Sequence, residues 1–350
     1  MRPSHFPLAL ALAGVTLSCP FASAQQPTGP YKILKTVKVG GEGGFDYVTA
    51  DSENHRLYVA RSGPGAALHV FDLDTLAAVG EIPGISAHGA AIDTKYHHGF
   101  ATSRPVTMFD TKTLAVIKQL DTQGNPDGYL VDPSTDRVYI LSHAAPNITV
   151  LDAKDGAILG TIDIGGAPEQ AALDGKGKMF VDIEDKDAIA VIDTKEMKML
   201  GKYDISTNGG GCAGLAIDTK NGILFATCRD KKNMIILTAE EGKILTDLPT
   251  GAGSDGAVFN PDTMEAFSSQ GDGTLTIVKE NSPTSFVVEQ TLATPVRAKT
   301  LTLDRKTGHI YLITADFGPP PAPAPGAAPG GRPPRPPMIP GSFSILVVGK

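Results

Sequence analysis

Residues 132–152 read DPSTDRVYILSHAAPNITVLD, two hydrophobic runs (138–141 and 148–151) set between turn formers. Asp132-Pro133 presets a reversal, because an Asx side chain and a fixed proline φ both favour a turn. The β-branched and aromatic content of the runs fits strands better than helix. Turn, strand, loop and second strand in so short a span make an antiparallel element.

The element recurs along the whole chain. An apolar run ends at Asp51, Asp93, Asp132, Asp174, Asp218, Asn260 and Asp304, spaced 39 to 44 residues apart. Tyr58, Phe100, Tyr139, Phe180, Phe225, Phe267 and Tyr311 follow at a nearly constant distance, which fixes the turn length. A third run comes after each of these, at 68–71, 106–109, 148–151, 189–192, 234–237, 275–278 and 343–346. A weaker fourth strand is expected next, for example at 78–82 and 160–164. A sandwich or open sheet would account for the strands but not for the period. Repeats of this length stack so that each unit hides its apolar faces on its neighbours.

The predicted fold is therefore all-β, a seven-bladed β-propeller of four-stranded blades with strands a to d. The chain ends just after the seventh strand c, with no room for a strand d, whereas residues 31–39 form an unpaired strand before the first strand a. This N-terminal strand is predicted to complete the last blade and so remove the ring's open edges. The Asp residues that end each run are read as turn caps, since carboxylates recurring once per blade belong to the scaffold.

Arg137-Val138-Tyr139-Ile140, Leu57-Tyr58-Val59-Ala60 and Ile189-Ala190-Val191-Ile192-Asp193-Thr194 resemble the YVTN-type repeat of YncE-like extracytoplasmic propellers. The resemblance covers essentially the whole mature chain. It implies a seven-bladed propeller in the periplasm and, for most members, no defined catalytic residues.

Composition agrees with a turn-rich globular chain: of 350 residues, 39 are Gly and 27 Pro, and the formal net charge is -7. An acidic balance attracts neither phosphate backbones nor anionic lipid. Arg2, an apolar run at 8–17 and Ala22-Ser23-Ala24 before Gln25 read as an export leader, so residues 1–24 are expected to be removed. A lipoprotein form using Cys19 is the alternative. No segment reaches the roughly 20 apolar residues of a membrane span. The expected location is the periplasm or outside the cell, with residues 25–350 forming one propeller.

Five positions before each run-ending residue stand Asp46, His88, Asp127, Glu169, Ala213, Asp255 and Lys299, predicted to ring the channel mouth. Loops joining strands b and c on the same face add Arg61, Arg104, His143, Glu184, Arg229 and Gln270. Converging carboxylates suit a hard cation such as calcium or a polar ligand, and arginines suit an anion. The simpler reading is that loop ends are polar because they meet water. His88 and His143 have no Cys or His at ligand spacing in their own segments, which argues against zinc. No cofactor is required by the sequence, and a divalent cation at the mouth is the one left open.

Cys212 and Cys228 lie almost opposite across the predicted a–b pair of blade 5, which favours a disulfide in an oxidising compartment; free thiols or a reactive pair are the alternatives. Residues 318–341 form a Pro/Gly/Ala-rich insert in the last b–c loop, expected to be flexible, free of ladder hydrogen bonds and on the mouth side. Gly40-Gly41-Glu42-Gly43-Gly44 and Gly209-Gly210-Gly211 lack the Lys-Ser/Thr of a phosphate loop and are connectors.

Two functions stand open. The preferred one is a noncatalytic scaffold, expected to be a monomer, that holds a small ligand, a glycan or a protein on the mouth face. The other is an enzyme, a metal-assisted lactonase-like hydrolase or a quinoprotein-dehydrogenase-like subunit, which needs a metal or cofactor. Single-strand nucleic acid is disfavoured by the charge and by few mouth aromatics, with Phe45, Tyr47 and Tyr129 the near ones.

Overall fold

The computed structural model describes residues 29–321 and 336–350. The predicted leader, Cys19 and the middle of the Pro-rich insert lie outside the described residues. The described chain forms seven four-stranded antiparallel sheets with strands in the order a-b-c-d, six of them meanders of consecutive strands. Strands a of blades 1 to 6 are Gly44–Asp51, Ala90–Asp93, Pro126–Asp132, Pro168–Leu173, Cys212–Asp218 and Ser254–Asn260. Each contacts the next, and Leu301–Leu303 of blade 7 contacts both blade 6 and blade 1, which closes the circle.

Blade 7 is assembled from both ends of the chain. Its strands b and c are Ile310–Thr314 and Ser344–Gly349, and Lys32–Lys38 supplies strand d. The register runs from Lys32 opposite Gly349 to Lys38 opposite Ser344. Blade 3 corrects one expected boundary: its strand d is Ile158–Ile162, earlier than 160–164. The c–d turn is tight there, with Asp152 N donating to Ala157 O at 2.9 Å, so pairing resumes at once.

Why the repeat closes into a ring is visible in the core. Tyr58, Phe100, Tyr139, Phe180, Phe225, Phe267 and Tyr311 are all buried. Among the described residues the buried apolar side chains form seven clusters, one at each junction between blades. Tyr58, Leu68 and Val70 of blade 1, for instance, pack on Ala90, Ala101 and Phe109 of blade 2. Each such side chain contributes about 1.5–3 kcal/mol on burial, and none can bury within its own sheet alone. Tyr139 and Tyr311 also donate their hydroxyls to backbone carbonyls of the adjacent blade, Thr194 O at 3.1 Å and Leu73 O at 2.8 Å.

The run-ending acids cap turns. Asp132 accepts from Ser134 N at 3.0 Å, Ser134 Oγ at 2.6 Å and Thr135 Oγ1 at 2.8 Å. Asp51, Asp93, Asp218 and Asp304 accept from their own turns in the same way. In blade 5, Cys212 faces Cys228 across the a–b pair and the two are joined as a disulfide. No helix among the described residues is long and apolar enough to cross a membrane.

Candidate functional site

Five inner strands break register at the same place: between Phe45 and Val48, Pro126 and Tyr129, Pro168 and Ala171, Cys212 and Gly214, and Ser254 and Ala257. A bulge sets two residues against one and re-aims a side chain. Within these breaks lie Asp46, Asp127, Glu169, Ala213 and Asp255. His88 and Lys299 stand just before the shorter inner strands of blades 2 and 7.

The bulges deliver these side chains into one chain of contacts. His88 Nδ1 lies 2.8 Å from Asp46 Oδ2 and 2.9 Å from Asp127 Oδ1. His143 Nε2 lies 3.0 Å from Asp127 Oδ2 and 3.7 Å from Glu169 Oε1. Arg229 approaches Glu169 at 3.9 Å and pairs with Glu184 and Asp255, and Lys299 pairs with Asp255. Every blade contributes. Where Ala213 leaves blade 5 without a charge, Arg229 from its b–c loop fills the place.

The electrostatics follow from this crowding. The adjacent carboxylates of Asp127 and Asp46 push His88 up to about 10, and Asp127 raises His143 to about 9. Burial would raise Asp127, but its two histidine partners win and hold it below the usual carboxylate range. Glu169 goes the other way, to about 8, because burial and neighbouring Glu184 outweigh Arg229. Two carboxylates of the same site are thus driven apart by their surroundings.

Sequence reasoning placed Tyr47 and Tyr129 near the mouth but missed their contacts, and missed Gln170 and Asp182 altogether. The Tyr47 hydroxyl of blade 1 reaches Glu169 of blade 4 at 3.5 Å, so it crosses the channel, and its ring stands edge-on to Tyr129 at 5.7 Å. Burial raises the Tyr47 hydroxyl well above its ordinary value, and Glu169, Asp127, Asp46 and Asp255 add to the effect. Gln170 accepts from Leu215 N at 3.0 Å and Ala257 N at 2.9 Å, tying blade 4 to blades 5 and 6. Small residues at equivalent positions make room: a Cβ on Gly89 would sit 2.2 Å from the Tyr129 ring. Tyr47 and Gln170 standing where four of the other blades have Gly89, Gly128, Gly214 and Gly256 was the available signal. Asp182 is fully buried with neither carboxylate oxygen hydrogen-bonded, and burial pushes it well above its usual range.

Arg61 and Arg104 do not join the others. Arg61 donates to the backbone carbonyls of Gly40 and Glu42 and lies 4.0 Å over the Phe343 ring, so its charge is spent on the wall between blades 7 and 1. Arg104 is exposed and makes no ion pair among the described residues, while Ser103 Oγ pins its loop through Pro105 O at 2.7 Å. Gln270 is buried and satisfied within blade 6.

The chain of ion pairs runs from Asp46 round to Lys299 and stops. At that seam opens a cleft of about 380 Å³ whose lining includes Phe45, Phe317, Met338, Pro340, Arg297 and Lys299. The Pro-rich insert builds part of its wall, and here the expectation of no ladder hydrogen bonds fails. Gly318 N donates to Pro337 O and Ile339 N to Asp316 O, both at 2.8 Å, so the two flanks are zipped together. Arg297 lies 4.4 Å over the Phe317 ring and forms no ion pair among the described residues.

No family model matches the chain, and no curated protein matches it. Solved structures do. A chain of a crystal structure of the mitotic checkpoint complex is 12% identical, covering 89% of this chain and 95% of its own, with a TM-score of 0.69. The RRP9 WD40 repeats are 10% identical over 93% of this chain and 99% of theirs, with a TM-score of 0.70. At such identities the likeness shows the seven-bladed fold alone. The resemblance to YncE-like propellers rests on the repeat residues.

Proposed function

We propose that this chain is an extracytoplasmic, YncE-like β-propeller that acts as a noncatalytic binding scaffold, holding a small ligand on its channel-mouth face. One observation carries the reading: among the described residues the ring of paired charges is interrupted only at the seam of blades 7 and 1, where the apolar cleft opens beside Lys299 and Arg297. Clefts of this size, mostly apolar with a few convergent polar groups, suit small molecules. The ligand that fits has an apolar body for Phe45, Phe317 and Met338 and an acidic group for the two cations. A location outside the cytoplasm is supported by the leader-like first residues and by the Cys212–Cys228 disulfide.

A thermal-shift screen of aromatic and aliphatic carboxylates tests this. At about 100 times its dissociation constant a true ligand stabilises by about 2.7 kcal/mol, a shift of several degrees. At the same ligand concentration the shift should fall by about half or more in Lys299→Ala and persist in Lys176→Ala, a change far round the ring. A panel without any such stabiliser, or stabilisers indifferent to Lys299, would sink the reading.

A further inference from the structure

The contacts around Asp127 have a feature that hydrogen bonding leaves unsolved. His88 Nδ1 faces two carboxylate oxygens, Asp46 Oδ2 at 2.8 Å and Asp127 Oδ1 at 2.9 Å, yet one ring nitrogen carries at most one proton. The hydrogen bond goes to Asp46. Asp127 Oδ1 is left buried with no hydrogen-bond partner, on a residue only 7% exposed. A buried carboxylate oxygen without a donor costs on the order of 1–3 kcal/mol or more. Something positive between these groups would remove the conflict.

The geometry points to a pair of divalent transition-metal ions bridged by Asp127. One site has Asp46 Oδ2, His88 Nδ1 and Asp127 Oδ1; the other has His143 Nε2, Glu169 Oε1 and Asp127 Oδ2. Within each triad the donor atoms lie within 4.8 Å of one another. Metal–donor bonds of about 2.0–2.2 Å put neighbouring ligands about 2.9–3.6 Å apart; the His88–Asp127 and His143–Asp127 separations, 2.9 and 3.0 Å, fall in that range, and those to Asp46 and Glu169, 2.8 and 3.7 Å, lie just outside it. The two halves are alike, each with one imidazole nitrogen, one terminal carboxylate and one arm of the shared Asp127.

The donor set chooses the class of ion. Calcium and magnesium take oxygen, whereas mixed imidazole and carboxylate ligands suit zinc, manganese, cobalt or iron. This reverses the sequence argument, in which isolated histidines spoke against zinc: the ligands come from four different blades, so spacing within a segment carries no information. Three protein ligands per ion leave a position open towards the mouth. An acidic group of a mouth ligand would fill it, so the inference deepens the proposed binding role and shares its face.

Cobalt titration into the chelator-treated full chain, followed by calorimetry and visible absorption, tests the pair without any organic ligand. It is therefore decided independently of the carboxylate screen. The wild type should take up two equivalents, His88→Ala and His143→Ala one each, and Asp127→Asn should bind at least 100-fold more weakly at both sites. Urea midpoints establish that each variant is folded; should Asp127→Asn not fold, the wild-type stoichiometry and the histidine variants still decide. One equivalent or none in the wild type, or two that survive in folded Asp127→Asn, would overturn the bridged pair.

Discussion

The two faces of the ring use the same residue for opposite ends. On the turn face, Asp51, Asp132, Asp218 and Asp304 accept hydrogen bonds from backbone or hydroxyl groups two or three residues along their own turns. On the mouth face, Asp46, Asp127 and Asp255 meet side chains that lie 16 to 44 residues away, all but His143 in other blades. A locally satisfied aspartate needs nothing but its own turn, and so serves the fold. One satisfied only by neighbouring blades depends on the closed ring, and a ligand can compete for its partners.

That contrast predicts where stability and binding part company. The largest effect belongs to a covalent link at the mouth end of blade 5, where Ala213 leaves the ring without a carboxylate. Replacing both Cys212 and Cys228 by serine frees a loop of sequence separation 16 and should lower the unfolding free energy by about 3 kcal/mol in urea titrations. A loss near zero would mean that the charged ring alone holds blade 5 in place.

Glu280 is the turn face's exception, because it reaches Asn221 of the adjacent blade at 2.7 Å instead of its own turn. Burial, with help from Asp218, raises its carboxyl from 4.5 to about 7. The native state therefore holds this proton more tightly than the unfolded chain. Its contribution is complete below about pH 4.5 and is lost as pH rises through about 7. Glu280→Gln should remove a decline on the order of 2 kcal/mol across that window, as read from urea midpoints at several pH values. An unchanged pH profile would remove Glu280 as the exception.

Asp132→Ala, which deletes three acceptor contacts, should cost about 1–2 kcal/mol while leaving ligand and cobalt binding intact. Asp255→Asn should do the reverse. Its partners are partly exposed, so the stability loss should stay below about 1 kcal/mol. Ligand affinity should nevertheless change, since Lys299 and Arg229 lose their common partner. Comparable losses of stability for the two variants would erase the distinction between faces.

The fold was legible because its cause is periodic. Asp or Asn at a turn and an aromatic a few residues later recur with every blade, and the unpaired segment at 31–39 had one place to go. The mouth was half legible: counting back from each turn found Asp46, His88, Asp127, Glu169, Asp255 and Lys299, because position within a repeat sets the face. What the count left out was direction. Bulges decide which side chains turn inwards, and Arg61 was drawn off by carbonyls of the Gly-rich connector. Tyr47 and Gln170 act across the channel, a distance that no pattern local to one repeat encodes.

The most direct test is a pair of dissociation constants for the strongest stabiliser in the carboxylate screen, measured by calorimetry on Lys299→Ala and Asp132→Ala. The account predicts at least tenfold weaker binding for the mouth variant and an unchanged value for the turn variant. Equal affinities in the two would contradict it.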